Sequence, residues 1–160
     1  MDEIIEKEPV QRVIKALESF NKNLKVEILK DTAKTAKDAA NALNCKEGAI
    51  VKSLIFKAEK EFIICLVSGD KRCSLNKLKK IVSKKDVSMA SAEEVKAQTG
   101  FTIGGVSPVG HINSLIIIID ETLGRFQTVF AAAGHPNSIF EISFMKLKEL
   151  TNGRVEDIIE

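Results

Sequence analysis

The sequence predicts one domain of the α+β or α/β class, built on a mixed sheet of at least six strands with helices around it. The length of 160 residues fits a single domain, and 44% hydrophobic with 29% charged residues is typical of a globular protein. Helical and strand patterns alternate without a linker, repeat or low-complexity segment. We expect residues 1–160 to form this domain, with residues 1–22 as an N-terminal helical extension.

The N-terminal part of the chain predicts two helices with a strand between them. Pro9 is suited to an early helical position, and apolar residues at helical spacing extend this helix to Asn21. Leu24–Leu29 alternates apolar and charged residues, which is typical of a strand. Thr35 can cap a second helix that runs to Leu43.

The middle of the chain predicts a hairpin, a helix and a short strand. Ala49–Lys57 and Glu61–Val67 are both strand-like, and the link between them is short, so we expect an antiparallel hairpin. Leu75–Val82 combines apolar residues at helical spacing with lysines, which predicts a basic amphipathic helix. Val87–Ala90 is the candidate short strand.

Further along, helix signals alternate with apolar strands. Ser91–Glu94 has the pattern of a capping box and opens a helix that we expect to stop at Gly100. Three apolar segments are predicted strands, the first of them a buried central one: Leu115–Ile119, Gln127–Ala132 and Ile139–Ile142. Ser143 can cap a last helix, which we expect Gly153 to end.

A glycine-rich segment, Gly100–His111, reads G-F-T-I-G-G-V-S-P-V-G-H and holds four of the nine glycines. Glycine and proline both oppose a helix here. Because Gly104 and Gly105 have no Cβ, a ligand can approach the main chain, and two or three N–H groups can point into one concavity. The alternative is a tight connection between a helix and a strand, since short glycine motifs are weak signals.

Composition restricts the compartment and the kind of site. No apolar run approaches the length that spans a bilayer, and Met1–Pro9 is acidic rather than a secretory signal, so we expect a cytoplasmic protein without membrane contact. Cys45, Cys65 and Cys73 are odd in number and lack C-x-x-C spacing. This argues against a disulfide framework and a structural zinc site, and we expect neither a metal nor another cofactor.

Seven basic residues and no acid occur between Lys71 and Lys85. Such a basic face can contact phosphates, although a solvated lysine-rich helix would have the same pattern. Tryptophan and tyrosine are absent, so no aromatic stacking platform for single-stranded nucleic acid is evident.

Lys52 interrupts an apolar strand. Strand alternation places it on the same face as Ile50, Leu54 and Phe56. A lysine ammonium in a closed apolar core would be costly, so it must reach water or an anion. It is therefore either exposed at a strand edge or a cleft residue that awaits a carboxylate or phosphate.

Other polar residues give weaker indications. His111 and His135 each follow a glycine, but the chain has no G-x-S-x-G elbow and a histidine hydrolase needs a partner set. Cys65 lies in an apolar strand and is interpreted as an inert core thiol. Asp70 and Asp120 end strands, where a carboxylate serves a site or caps a turn.

Taken together, ordered motifs resemble a known family. They are I-V-K-S-L-I-F at Ile50, V-S-G-D at Val67, T-G-F-T-I-G-G-V-S-P-V-G-H at Thr99, I-D-E-T-L at Ile119, A-A-A-G-H-P-N-S-I-F-E-I-S at Ala131 and, near the end, L-K-E-L-T-N-G-R-V. Each motif alone is weak, but the ordered set over Val26–Val155 is specific. It resembles the bacterial editing-domain family that includes the YbaK and ProX proteins and the insertion domain of prolyl-tRNA synthetase.

This resemblance implies a compact α+β domain around a mixed, barrel-like sheet. Family members are free-standing deacylases that hydrolyse the ester of a wrong amino acid on tRNA, most often tRNA(Pro). The resemblance therefore implies a hydrolase that acts in trans on mischarged tRNA, with transient contact to prolyl-tRNA synthetase and no cofactor.

Site residues follow from the same resemblance. The family's essential strand lysine matches Lys52, and the amides of Gly104 and Gly105 would stabilise the oxyanion of the ester. The substrate-binding positions that match the two glycine loops and the G-D turn are Val106, Ser107, Pro108, Gly110, His111, Gly134, His135 and Asp70. The expected tRNA-binding residues of the basic segment are Lys71, Arg72, Lys77 and Lys80.

One departure concerns Ala131–Ala133, because some members carry polar side chains beside the second glycine loop. This weakens any role for a side chain there in activating water, and it leaves the amino acid open among Cys, Ala, Ser and Thr. Two alternatives to a deacylase are a non-catalytic module that binds tRNA or a synthetase, and a cysteine hydrolase.

Overall fold

The structure, a computed structural model, describes residues 3–30 and 35–160. Residues 1 and 2 of the predicted N-terminal extension lie outside the described residues. The described helices are α1 (Glu3–Glu6), α2 (Glu8–Phe20), α3 (Ala36–Leu43), α4 (Leu75–Val82), α5 (Ala92–Thr99) and α6 (Phe144–Thr151). The described strands are β1 (Val26–Ile28), β2 (Ile50–Ala58), β3 (Glu61–Ser68), β4 (Val87–Met89), β5 (Ile116–Asp120), β6 (Thr128–Ala132), β7 (Ser138–Ser143) and β8 (Arg154–Glu156).

All eight described strands belong to one mixed sheet, and seven of them follow the order β1-β7-β6-β2-β3-β5-β8. Strands β2 and β3 form the predicted antiparallel hairpin, whereas β3–β5, β5–β8 and β2–β6 are parallel pairs. Strand β4 branches from the sheet and pairs only with the end of β2. The predicted α+β class with a mixed sheet is confirmed.

The hydrophobic core occupies both faces of the sheet. The larger cluster packs apolar residues of α2, α5 and α6 against one face, among them Val13, Val95 and Leu147. The smaller cluster covers the opposite face and includes Leu78 of α4 and Phe56 of β2. The sheet is thus held rigidly on both sides, and this positions the loops at its edges.

Several local signals act as the sequence predicts. The capping box at the start of α5 is complete, because the Ser91 hydroxyl accepts from the Glu94 amide and the Glu94 carboxylate accepts from the Ser91 amide. Thr35 and Ser143 cap α3 and α6 in the expected way. Gly100 ends α5 with a left-handed φ of 79°.

Three expectations about the C-terminal part were wrong or incomplete. Asn152, with a φ of 54°, ends α6 in place of Gly153. Gly153 instead passes close to β5, since a Cβ there would lie 2.9 Å from the Ile117 side chain.

Strand β5 lies between β3 and β8, as expected of a central strand. Its first residue, Ile116, is exposed, and only its last three residues are buried. The short strand β8 is absent from the sequence prediction because three residues carry too little periodicity.

Among the described residues, no helix is both long enough and apolar enough to cross a membrane.

Candidate active site

A gap in the sheet beside strand β2 forms an apolar cleft. Strand β6 pairs with the start of β2 at Ile50 and Val51, and β4 pairs with its end from Phe56 to Ala58. Between these two partners, residues 52–55 pair with no described strand on that edge. The Ala90 amide donates a hydrogen bond of 3.0 Å to the Ile55 carbonyl at the end of this stretch. Backbone groups in this stretch of β2 are therefore accessible to a ligand.

The cleft has a volume of about 360 Å³ and is lined mainly by apolar side chains. Residues 50–55 of β2 form its floor, and Ala131 and Ala132 of β6 form one wall. Two exposed apolar side chains, Met89 and Ile103, stand at its margin with 58% and 63% of their surface accessible. The remaining lining residues are Thr35, Ala36, Ala39, Ala90, Val95, Gly104, Val106, Phe130, Pro136, Ser138 and Ile139.

Lys52 lines this cleft and is partly buried. Its ammonium donates a hydrogen bond to the carbonyl oxygen of Lys71, which follows the turn after β3. Among the ion pairs of the described residues, none involves Lys52. An ammonium has three donors, so two of them can serve an anionic or carbonyl group in the cleft.

Ser53 is a polar residue of the cleft that the sequence analysis missed. Its Oγ is buried and has no hydrogen-bond partner among the described residues. A buried hydroxyl without a partner is unfavourable, and such groups commonly mark places where a ligand supplies the missing bond. Only its position directly after Lys52 could have drawn attention to it in the sequence.

The first glycine-rich segment contributes two residues to the cleft wall, Gly104 and Val106. Gly104 has a φ of 96°, a conformation that favours glycine. The Gly105 amide already donates to the Thr102 carbonyl over 3.0 Å. Gly104 is thus the better placed of the two glycines to present backbone to a substrate.

The remainder of the same segment lies behind the wall. Ser107 and Pro108 are buried, and the Ser107 hydroxyl accepts from the Val109 amide. The His111 ring lies beside that of Phe101, and its Nε2 donates to the Ser107 carbonyl over 2.6 Å. Burial lowers the pKa of His111, so the ring is neutral near pH 7. Neither these residues nor Gly110 lines the cleft.

The second glycine loop packs against the first. A Cβ on Gly105 would lie 3.0 Å from backbone atoms of His135, so the two loops touch directly. Pro136 and Ser138 line the cleft, whereas Gly134 and His135 lie behind them. His135 Nδ1 accepts a hydrogen bond of 3.0 Å from the Asn137 amide, which orients the ring within its own loop.

Asp70 belongs to a polar network beside the Lys71 carbonyl. Its carboxylate forms an ion pair of 2.8 Å with Arg125 and accepts from the Ser68 hydroxyl. The hydrogen bonds from Arg125, above all, hold the pKa of Asp70 below its usual value. Asp120 caps the following 3-10 turn and accepts from the Ser68 amide, as expected for a cap acid. This network fixes the turn after β3 and does not reach the cleft lining.

The basic segment is partly neutralised. Lys77 forms an ion pair of 2.9 Å with Asp157, and Lys84 pairs with Glu61. Arg72 and Lys80 are exposed and form no ion pair within the described part of the chain. The sequence could not show this difference, because both acids are distant from their lysines along the chain.

The three cysteines lie outside the cleft lining. Cys65 is fully buried in β3, where a hydrogen bond with Cys73 and burial raise the pKa of its thiol. Burial also raises the pKa of Cys45, while the bond from Cys65 lowers that of Cys73. This arrangement does not favour a cysteine hydrolase.

Comparison with known proteins agrees with this geometry. The model of the aminoacyl-tRNA editing domain family matches residues 30–150. An uncharacterized protein of Bacillus subtilis is 34% identical over 137 residues, which are 85% of this chain and 87% of that protein. A candidate Cys-tRNA(Pro)/Cys-tRNA(Cys) deacylase of Enterococcus faecalis is 26% identical over 125 residues, which are 78% of this chain and 76% of that protein.

A solved structure shows the same likeness in three dimensions. The crystal structure of a candidate trans-editing enzyme for prolyl-tRNA synthetase superposes with a TM-score of 0.91 and is 41% identical in sequence. The superposition covers 96% of this chain and 98% of that one. With the family model matching most of its length, this chain belongs to the aminoacyl-tRNA editing domain family.

Proposed function

We propose that this protein is a hydrolase that removes a wrong amino acid from tRNA in trans, with mischarged tRNA(Pro) as its substrate. The observation that carries this proposal is that Lys52 and Gly104 line the same apolar cleft at an open strand edge. Membership of the editing family and the likeness to the candidate trans-editing enzyme support it. The candidate Cys-tRNA(Pro) deacylase supports tRNA(Pro) as the acceptor.

The reaction is the hydrolysis of an ester. Water attacks the carbonyl carbon, a tetrahedral oxyanion forms, and the bond from carbon to the ribose oxygen breaks as that oxygen takes a proton. The products are the free amino acid and the uncharged tRNA. Because an aminoacyl ester is already activated, positioning of water and stabilisation of the oxyanion suffice for catalysis.

We assign two roles in this reaction to residues of the cleft. The ammonium of Lys52, held by the Lys71 carbonyl, binds the phosphate or ribose end of the terminal adenosine. The backbone of Gly104 faces the ester and stabilises the oxyanion. Both act without a protein nucleophile, which agrees with the position of the cysteines outside the cleft lining.

The amino acid occupies the apolar part of the cleft. The floor at Ile50 and Val51 and the wall at Ala131 suit a small side chain, and the alanines of β6 supply no polar group there. Cys, Ala, Ser and Thr remain the candidates. Apolar pockets separate such substrates by only about 1–3 kcal/mol per methylene, so we expect graded rather than absolute selectivity.

We further propose that the reaction takes place in the cytoplasm, with transient contact to prolyl-tRNA synthetase. The name of the similar crystal structure, which refers to that synthetase, supports this contact.

A deacylation assay tests the proposed function. tRNA(Pro) charged separately with Cys, Ala, Ser, Thr and Pro would be incubated with the wild type, with Lys52→Ala and with Lys60→Ala. Lys60 lies in the exposed hairpin turn and is the matched control. We expect the wild type and the control to release at least one wrong amino acid, and Lys52→Ala to lose about 10²-fold or more in rate.

The same assay separates this proposal from the binding-module alternative. If all five esters decay at the uncatalysed rate while tRNA still binds in a salt-dependent way, the chain is a binding module rather than a deacylase.

A further inference from the structure

Helix α2 supports both glycine loops from behind, although it lies outside the residues that match the family model. Gly100, Gly110 and Gly134 have left-handed φ angles of 79°, 82° and 97°. All three pack against α2: a Cβ on Gly110 would lie 3.3 Å from the Arg12 backbone, and one on Gly134 would lie 2.8 Å from the Pro9 carbonyl oxygen. At Gly134 the helix backbone is so close that a side chain would clash, and at all three contacts the left-handed φ favours glycine.

Arg12 of this helix binds both ends of the first loop. Its Nε donates to the Gly110 carbonyl over 2.8 Å, and its Nη2 donates to the Thr99 carbonyl over 3.2 Å. The guanidinium also lies over the Phe101 ring, 4.6 Å from the ring centroid, and pairs with Glu8. One planar group thus joins two carbonyls that stand on either side of the loop.

The residues between these two anchors form the cleft wall. Gly104 and Val106 line the cleft, and Gly105 touches the second loop at His135. A shift of the anchors would move Gly104 relative to the strand that carries Lys52. We propose that Arg12 is a positioning residue, which sets the distance between the Gly104 backbone and Lys52. The inference rests on the proposed deacylase function.

The geometry of the guanidinium suits this role better than that of an ammonium. A guanidinium has five donors in a rigid plane and can bind two separate carbonyls while it stacks on a ring, whereas lysine presents one point charge. Charge-assisted hydrogen bonds are about twice as strong as neutral ones, and the bond of 2.8 Å to the Gly110 carbonyl is the shorter of the two anchors. A misplacement of about 1 Å in a reacting group can lower the rate about 10²-fold.

The experiment compares Arg12→Lys and Arg12→Met with the wild type in the deacylation assay. Lys15→Met removes an exposed charge from the same helix and is the control. For each protein, kcat, KM and the melting temperature are measured, together with the amide NMR shifts of Gly104 and Gly105. We expect kcat to fall about 10- to 100-fold in both Arg12 variants, with KM changed less than about threefold.

The other measurements decide between positioning and mere stability. In Arg12→Lys we expect a folded protein in which the amide shifts of Gly104 and Gly105 change while those of α4 do not. If Arg12→Met does not fold, Arg12→Lys decides alone. The inference is overturned if folded Arg12→Lys keeps the wild-type kcat, or if the decrease in kcat of this variant disappears after correction for the folded fraction. An inactive wild type would instead overturn the proposed function itself.

Discussion

At the residue scale, the two neighbours Lys52 and Ser53 have opposite environments. The Lys52 ammonium is bound to the Lys71 carbonyl, whereas the Ser53 hydroxyl is buried without a partner among the described residues. Successive residues of a strand point to opposite faces, so the two polar side chains leave β2 in opposite directions. A buried hydroxyl without a partner is unfavourable, so we expect a hydrogen bond from a substrate to stabilise this position.

Ser53→Ala should therefore change stability and activity in opposite directions. Removal of an unsatisfied buried hydroxyl is expected to raise the free energy of unfolding by about 1 kcal/mol. Loss of one hydrogen bond to the substrate is expected to lower kcat/KM up to about tenfold. Urea unfolding and deacylation rates would be measured on the same samples.

Ser88→Ala, at an exposed position of β4, is the control for this prediction and should alter neither quantity. A Ser53→Ala protein that is less stable and fully active would show that the hydroxyl has a structural partner and no contact with the substrate.

At the element scale, the turn after β3 is tied to the 3-10 turn after β5. The Asp70 carboxylate and the Arg125 guanidinium form this link, and the Ser68 hydroxyl completes it. The turn also carries the Lys71 carbonyl that holds Lys52. The position of the cleft lysine thus depends on a polar contact between two elements that are far apart in sequence.

The link between these turns should weaken in acid. Because Arg125 lowers the pKa of Asp70 in the folded state, the stabilisation is complete above the unfolded pKa of about 3.9 and is lost as the pH falls through the lower folded value. Since the pair is partly exposed, Asp70→Asn should cost about 0.5–1 kcal/mol at pH 7. Below both pKa values the two proteins should be equally stable.

Urea unfolding of the wild type and Asp70→Asn between pH 2 and 7 measures this difference. Asp86→Asn removes an exposed carboxylate elsewhere and is the comparison. A difference between wild type and Asp70→Asn that stays constant down to pH 2 would refute a charged link.

At the scale of the whole molecule, the basic segment is tied to the strand that carries Lys52. The Lys71 carbonyl at the beginning of this segment accepts a hydrogen bond from the Lys52 ammonium, and we expect the phosphates of a bound tRNA to contact Arg72 and Lys80. Since Lys77 is paired with Asp157, its charge is already partly compensated. The positive potential available to tRNA phosphates is therefore uneven along the segment.

The salt dependence of tRNA binding should report this unevenness. Arg72→Gln and Lys80→Gln are each expected to reduce the slope of log K against log salt by about 0.7–0.9, the value for one phosphate contact. Lys77→Gln should reduce it less, because Asp157 competes with phosphate. Binding would be measured at several salt concentrations by fluorescence anisotropy.

Lys146→Gln, an exposed change on α6, is the control for the tRNA measurements and should leave the slope unchanged. Equal slopes for all four variants and the wild type would mean that tRNA approaches from another direction.

The sequence by itself determined the features that depend on neighbouring residues. The β2–β3 hairpin, the capping box at Ser91 and the stop at Gly100 follow from local periodicity and backbone preference. The ordered motifs can also be identified along the chain alone, and they indicated the family and drew attention to Lys52. Short elements such as β8 could not be predicted, because three residues cannot show a hydrophobic periodicity.

Only the tertiary structure decided how these parts form the cleft. The gap beside Ser53 exists because β6 and β4 pair with different ends of β2, which no local pattern encodes. Arg12 reaches the carbonyl of Gly110, 98 residues further along the chain. Pairing between distant segments and the packing of side chains are set by the whole fold, so the depth of the cleft and the support of its wall become visible only in three dimensions.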